Sequence, residues 1–370
     1  MSGDAQRGSW LRAAEARLTY DKDLCLVATS PTSGECLRLE GAAEAVWDQL
    51  EYATSIEGLT RRLACLFEAP EADIASDVGQ LLDGLAARDL LQHGPPADNT
   101  LRDGHLRLLK RAISNLLYPE LEMQLKQLQS GLPLSGLDLQ RHLRDIAEKD
   151  SAAFDAFVAA KREGYGPIRY AHSMIGLFRL NNIERCAEHV FADGVEGDFL
   201  EAGVCQGGAA IFMRALQRAH GQGERRTWVV DSFEGVPPSV AEVDRPYDLH
   251  LEEARQPWLA ISERRVRDNF ARYDLLDDKV EFVPGWLQET LPRAEIDRLA
   301  ILRVDVDLYS ATYDCLDLLY DRVQPGGFVI VDDYGYLQCC RDAVDAFRER
   351  RAIAEPLKWI DRSGVFWRKG

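Results

Sequence analysis

The sequence predicts an α/β protein. A Rossmann-like parallel sheet fills its C-terminal half, and a small winged-helix-like α+β domain and a helical linker precede it. Three observations carry this. From Gly197 onward, short apolar runs rich in β-branched residues alternate with helical patterns, the signature of a parallel sheet. Two of these runs, Leu299-Ala-Ile-Leu-Arg-Val-Asp-Val-Asp-Leu-Tyr309 and Gly327-Phe-Val-Ile-Val-Asp-Asp-Tyr334, finish in carboxylates. Before Gly94, hairpin-length extended runs lead into three amphipathic helices.

In chain order, extended runs are expected at Arg17–Tyr20, Leu24–Thr29 and Glu35–Leu39. A turn carrying Pro31, Ser33 and Gly34 joins the latter two. Helices follow at Ala42–Leu50, Ser55–Phe67 and Ala72–Arg88, each with an apolar stripe at helical spacing. The polar, Pro-rich stretch Gly94-Pro-Pro-Ala-Asp-Asn99 reads as a linker. This sets the expected domains at 1–95, 96–165 and 166–370. Residues 101–196 read as helical, with stripes along Leu106–Leu117, Ala152–Lys161 and Met174–Val190. The helices at 101–165 are candidates for a lid or for a homo-oligomer interface. Parallel strands are expected at Phe199–Ala202, Thr227–Asp231, Val280–Pro284, Leu299–Asp305 and Phe328–Asp332. A closing antiparallel pair is expected at Leu357–Asp361 and Val365–Arg368.

Composition narrows the partners. A net charge of −17 disfavours nucleic-acid backbones and anionic membranes. The eight cysteines are scattered, without CxxC pairs or zinc spacing, which fits reduced thiols in a cytoplasm. Met1–Trp10 has no signal-peptide core, and no apolar run reaches membrane-spanning length.

The chemistry gathers in the C-terminal half. Ligands of open α/β sheets sit beyond the carboxyl ends of the strands. Asp305, Asp332 and Asp333 would meet there, and three acids repel one another unless a cation lies between them. Oxygen ligands suit a hard ion such as Mg²⁺. The alternative is that Asp332 and Asp333 cap a helix or pair with arginines. The first strand runs into Glu201-Ala-Gly-Val-Cys-Gln-Gly-Gly208, where Gly203, Gly207 and Gly208 permit tight turning and close approach to a ligand. No phosphate-cradling motif is present. Asp231, ending the second strand, is placed to accept ribose hydroxyls. Gly285-Trp286 after the third strand could frame an adenine. A ribose without phosphate fits S-adenosylmethionine (SAM). Beside it, Mg²⁺ would position an oxygen nucleophile, with Asp305 as metal ligand and general base. Cys205 has no nearby His in sequence to activate it as a nucleophile. Tyr170, His172 and His250 are candidates for the acceptor pocket.

Residues 165–370 resemble the TylF-like macrocin O-methyltransferase family. The resemblance runs through Met174–Asn182, Gly207–Met213, Asp231-Ser-Phe-Glu-Gly-Val-Pro-Pro238, Asn269–Tyr273, Pro284-Gly-Trp286, Asp305–Tyr309 and Asp332-Asp-Tyr-Gly335. It implies a class I SAM-methyltransferase sheet and Mg²⁺- and SAM-dependent O-methylation. By the same resemblance Asp305, Asp332 and Asp333 hold the metal, Asp305 is the base, and Glu201, Gly203, Gly207, Gly208, Asp231, Ser232, Gly285 and Trp286 form the cofactor site. Two departures stand out. Val306 replaces the family's Gly between paired aspartates, and Cys205-Gln206 replace its Trp-Arg.

Leu24–Leu91 resembles the PqqD-like fold, on the hairpin, Leu37-Arg-Leu-Glu-Gly41, Ala45–Leu50 and Asp77–Leu91. That resemblance implies recognition of a precursor peptide whose leader adds as a strand at the hairpin edge. A DNA-binding winged helix is disfavoured, since residues 1–95 hold 16 acids against 8 bases. The expected function is therefore O-methylation of a ribosomally made precursor peptide, of the lasso type with a C-terminal carboxylate among the possible acceptors. The alternative is O-methylation of a sugar or other small natural product, with the N-terminal domain as scaffold.

Overall fold

The computed structural model describes residues 10–12, 17–20, 26–30, 32–39, scattered positions between 43 and 64, 69–93, 101–120, 122–123, 151–164, 170–238, 242–247 and 259–370. It divides into two compact units, Met1–His105 and Leu106–Gly370. The division falls inside a helix rather than at the Pro-rich stretch, because the residues after 105 bond to later parts of the second unit: Lys110 Nζ donates to Asn181 Oδ1 at 2.7 Å. His172 N–H, for example, donates to Ile113 C=O at 2.8 Å.

In the first unit, β2 (Arg17–Tyr20), β3 (Leu26–Thr29) and β4 (Cys36–Leu39) form an antiparallel three-stranded sheet in the order β2-β3-β4. Gly34, at φ 71°, turns the β3–β4 hairpin, and its N–H bonds Ser30 C=O. Helix α1 (Glu71–Ala86) buries Val78, Leu82 and Leu85, the i, i+4, i+7 stripe of the sequence. A pair absent from the sequence reading, β1 (Trp10–Arg12) with β5 (Leu91–His93), brings the two ends of this unit together. Three-residue strands fall below what residue patterning resolves. The expected helices at 42–50 and 55–67 lie largely outside the described residues, although Trp47, Leu50, Leu59 and Leu63 are buried.

The second unit is a seven-stranded sheet. Its strands are β6 (Asp198–Ala202), β7 (Thr227–Asp231), β8 (Val280–Pro284), β9 (Leu299–Val304), β10 (Val323–Val331), β11 (Lys358–Trp359) and β12 (Val365–Arg368). Their order is β11-β12-β10-β9-β6-β7-β8, with β10-β9-β6-β7-β8 parallel and β12 antiparallel to both β10 and β11. The order reverses between β6 and β9, so the ligand crevice is expected beyond their carboxyl ends. Every residue of β9 is buried, as an interior parallel strand requires.

Alternation along the strands sorts the two faces. Leu200, Ala202, Leu302, Val304, Val329 and Val331 join one core with residues of α8 (Tyr309–Leu319) and α9 (Gln338–Arg350). Phe199, Ile301, Phe328 and Ile330 face the other way, the side that also carries Glu201, Arg303 and Asp305. Helices α4 (Gly176–Ala192) and α5 (Gly208–Ala219) pack on the sheet; α4 reaches β9 and β10, and α5 reaches β6 and β7. Each large apolar side chain buried here contributes roughly 1.5–3 kcal/mol relative to exposure. Helices α2 (Leu101–Ile113), α3 (Ser151–Glu163), α6 (Glu263–Arg272) and the short α7 (Leu287–Thr290) complete the described elements. No helix among the described residues is long and apolar enough to cross a membrane.

Candidate active site

The three aspartates meet as expected. Asp305 follows β9, and Asp332 and Asp333 follow β10. One carboxylate oxygen from each lies within 4.8 Å of the others. Main-chain pairing explains the convergence. Asp305 N–H bonds Ala202 C=O at 2.8 Å, and Asp332 N–H bonds Val304 C=O at 3.0 Å, so the three strand ends stay in step.

A cation does lie among them, supplied by the chain. Arg303 is fully buried in β9, directly in register with Glu201 of β6. Its Nη1 donates to Glu201 Oε1 at 2.5 Å and to Asp305 Oδ2 at 2.8 Å, and its Nη2 donates to Asp332 Oδ1. From α4, Arg179 donates through Nη1 to Asp332 Oδ2 and through Nε to Asp361 Oδ2 at 2.8 Å. The aspartates thus cluster with ligand spacing, and Asp332 pairs with arginines. Burial works against the Arg303 charge, but Asp332, Asp305 and Glu201 outweigh it and keep the guanidinium protonated. Arg303 was missed in sequence because it sits inside an apolar run. A charge two residues before Asp305, on the same strand face, was the available signal.

The acids feel burial and one another. Burial raises Asp305 above the usual carboxylate range, with Asp332 adding. Burial, then Asp307 and Asp305, raise Asp333. Asp307, held at φ 59°, is pushed up to about 8 by burial and by Asp305. A divalent cation would relieve this repulsion.

The glycine-rich loop is built as a close approach. Gly203 has φ 80°, and a Cβ there would overlap the carbonyl of Asp305. A Cβ at Gly208, the first residue of α5, would overlap the carbonyl of His172. Gly207 precedes it at the helix N-cap. Asp231 braces this loop. Its Oδ2 accepts Val204 N–H at 2.7 Å and its Oδ1 accepts Phe233 N–H at 2.7 Å. Ser232 Oγ donates to Gly235 C=O at 3.0 Å and shapes the next turn. Gly285 N–H bonds Asp231 C=O at 2.9 Å, which sets half-buried Trp286 at the neighbouring strand end. Glu201 is buried against Arg303 and pushed up to about 8 by that burial.

Around this edge, His172 Nδ1 lies 2.7 Å from Tyr273 Oη, and Arg272 Nη1 lies 3.5 Å from His172 Nε2. Burial and Arg272 push His172 down to about 4, so it is neutral at pH 7. Tyr170 is exposed, and His250 lies outside the described residues. The Cys205 thiol is pushed up to about 12 by burial and Asp305, so it is not a thiolate nucleophile. Val306, in place of the family's Gly, is accommodated by packing against the apolar core.

A glycine-rich turn and an acid cluster at the carboxyl edge of this sheet define a class I methyltransferase fold. The macrocin O-methyltransferase (TylF) profile matches residues 102–369, and the chain belongs to that family of O-methyltransferases. A second profile, coenzyme PQQ synthesis protein D (PqqD), matches residues 25–91. The chain is 53% identical over 201 residues to the 8-demethyl-8-(2,3-dimethoxy-alpha-L-rhamnosyl)-tetracenomycin-C 4'-O-methyltransferase of Streptomyces olivaceus, covering 54% of this chain and 76% of that protein. It is 42% identical to the mycinamicin III 3''-O-methyltransferase of Micromonospora griseorubida, covering 72% and 96%. The solved structure of the O-methyltransferase NovP superposes with a TM-score of 0.60 at 40% identity, covering 72% of this chain and 99% of that one.

Proposed function

We propose that this chain is a Mg²⁺- and SAM-dependent O-methyltransferase of natural-product biosynthesis. The single observation that carries the metal is the convergence of Asp305, Asp332 and Asp333. Their oxygen donors fit a hard divalent ion. The guanidinium bonds on Asp332 leave a lone pair on each of its oxygens, since a carboxylate offers about four acceptor sites. The bound ion would supply a positive charge that favours deprotonation of an acceptor oxygen, and SAM would supply the methyl group. Asp305 takes the acceptor's proton where the acceptor is a hydroxyl.

For SAM, Gly203, Gly207 and Gly208 hold the turn after β6 tight, Gly203 against the Asp305 carbonyl and Gly208 against the His172 carbonyl, at the strand edge where the cofactor would sit. Asp231 keeps acceptor capacity beyond its backbone bonds for ribose hydroxyls, with Ser232 in the adjoining turn. Gly285 and Trp286 border the adenine side. Glu201 acts by holding Arg303.

The relatives support a sugar hydroxyl of a glycosylated natural product as acceptor better than they support a ribosomal peptide. A second reading, a leader-bound precursor peptide, rests on the PqqD match and on the small sheet β2-β3-β4, whose outer strands offer edges for strand addition. The test is to incubate the full chain with SAM, Mg²⁺ and either glycosylated acceptors or candidate precursor peptides. Mass spectrometry then reads which class gains a methyl group. Methylated sugars without any peptide product support the first reading; methylation only of leader-bearing peptides replaces it with the second. Assembly as a homo-oligomer through the 101–165 helices belongs to the same proposal and is read by light scattering.

A further inference from the structure

Two buried arginines meet on one metal-ligand candidate. Each oxygen of Asp332 accepts from a different guanidinium, Arg303 on Oδ1 and Arg179 on Oδ2. Arg179 is itself fixed from behind. Its Nε bonds Asp361, whose Oδ1 accepts Ser363 N–H at 2.8 Å and Gly364 N–H at 2.7 Å. Ser363 Oγ then donates to the Asp332 carbonyl at 2.8 Å. The β11–β12 turn, Arg179 and Asp332 thus form one closed hydrogen-bonded unit. Asp333 differs: no guanidinium hydrogen bond reaches it among the described residues, while Asp305 accepts from Arg303 and shares a hydrogen bond with Asp333.

Burying an arginine beside an acid brings no assured stability, because desolvation offsets the attraction. Two of them placed where three acids converge call for another account. Three carboxylates with ligand spacing and no countercharge would swing apart. With Arg179 and Arg303 in place, the triad keeps its geometry and the acids still outnumber the guanidiniums.

We propose that Arg179 and Arg303 are positioning residues that pre-form the acidic triad, and that a divalent cation binds chiefly between Asp305 and Asp333 in electrostatic competition with Arg179. The metal is then held weakly and exchangeably, on an already ordered site. This rests on the metal reading above.

The test uses the purified full chain and Mn²⁺ as probe, with binding read by electron paramagnetic resonance and calorimetry in the absence of SAM. In the double variant Arg179→Met with Asp361→Asn, the buried pair is removed together, so no orphan charge remains. The guanidinium lost lies directly on Asp332 while the carboxylate lost lies behind it, so the two charges partly cancel and Mn²⁺ binding is expected to tighten by roughly threefold. Arg179→Lys keeps the charge and is expected to restore binding to near the wild-type value. Asp333→Asn is expected to weaken it by more than tenfold. If the folded double variant binds Mn²⁺ no tighter than wild type, the competition is overturned. If the double variant does not fold, Arg179→Lys decides: tightening in that charge-preserving variant overturns the proposal, and wild-type affinity together with a lowered kcat at unchanged KM for SAM supports it. If the wild-type chain binds no Mn²⁺ while Asp333→Asn behaves identically, the metal reading itself falls and this proposal with it.

Discussion

Arg303 and Asp305 lie two residues apart on one face of the same strand end, and their side chains pair at 2.8 Å. That pair places a permanent positive charge inside the acid cluster. Asp305 is therefore oriented from its own strand, while Asp332 is held from both sides by Arg303 and Arg179. The clustered carboxylates differ in how they are restrained, and this separates their expected behaviour.

Asp305→Asn keeps the shape and removes the charge. For a hydroxyl acceptor, kcat should fall by roughly 10²–10⁴, the usual contribution of a general base. A carboxylate acceptor carries no proton at neutral pH and needs no base, so the fall there should be much smaller. Comparing the two acceptor classes by steady-state kinetics settles whether Asp305 has one role or two.

Glu201 gives a pH signature. Burial pushes its carboxyl up to about 8 from an ordinary value of 4.5, against the pull of Arg303. Between those values the folded chain keeps a proton that the unfolded chain has lost. The contribution to stability is complete below about pH 4.5 and is lost as pH rises through about 8. Glu201→Gln does not titrate, so its melting temperature should drop less than wild type between about pH 5 and pH 8. Parallel melting curves for the two proteins would show that Glu201 is ionised in the fold.

Gly203→Ala tests the loop. The left-handed backbone and the overlap with the Asp305 carbonyl together should cost roughly 3–5 kcal/mol. In a unit of this size that lowers the melting temperature by roughly 10 °C. A melting temperature within a degree or two of wild type would mean that the loop and the β9 end separate readily.

Glu122 and Lys161 form an ion pair with almost no solvent exposure. Glu122 Oε1 also accepts the N–H groups of Tyr170 and Ala171 at 2.8 and 2.7 Å, which anchors the segment leading to His172 and Gly208. Lys161→Met leaves a buried carboxylate without this partner and should destabilise by about 3–5 kcal/mol. Adding Glu122→Gln, which keeps the oxygen acceptor, should recover most of that loss in denaturant melts. Additive losses would instead mean that the two residues act independently.

Much of this protein was legible in its residues. Apolar β-branched runs fix buried parallel strands because an interior strand has no polar face to show, so β6 to β9 fell within a residue of the expected bounds, while β10 begins at Val323, five residues before the expected Phe328. Val365–Arg368 likewise matched to the residue. The meeting of Asp305, Asp332 and Asp333 followed because parallel strands put their carboxyl ends at one edge. The pair β1–β5 was hidden, since three-residue strands carry too little pattern.

The sequence by itself determined the sheet, the loop and the acids, through periodicity and the geometry of parallel strands. Only the tertiary structure decided what those acids touch. Arg179 lies 153 positions from Asp332 along the chain and Asp361 lies 182 from Arg179. Such pairings depend on how α4 and the β11–β12 turn pack against β9 and β10, and no local pattern encodes that approach. The same packing turned Asp231 onto the loop backbone and Glu201 onto Arg303.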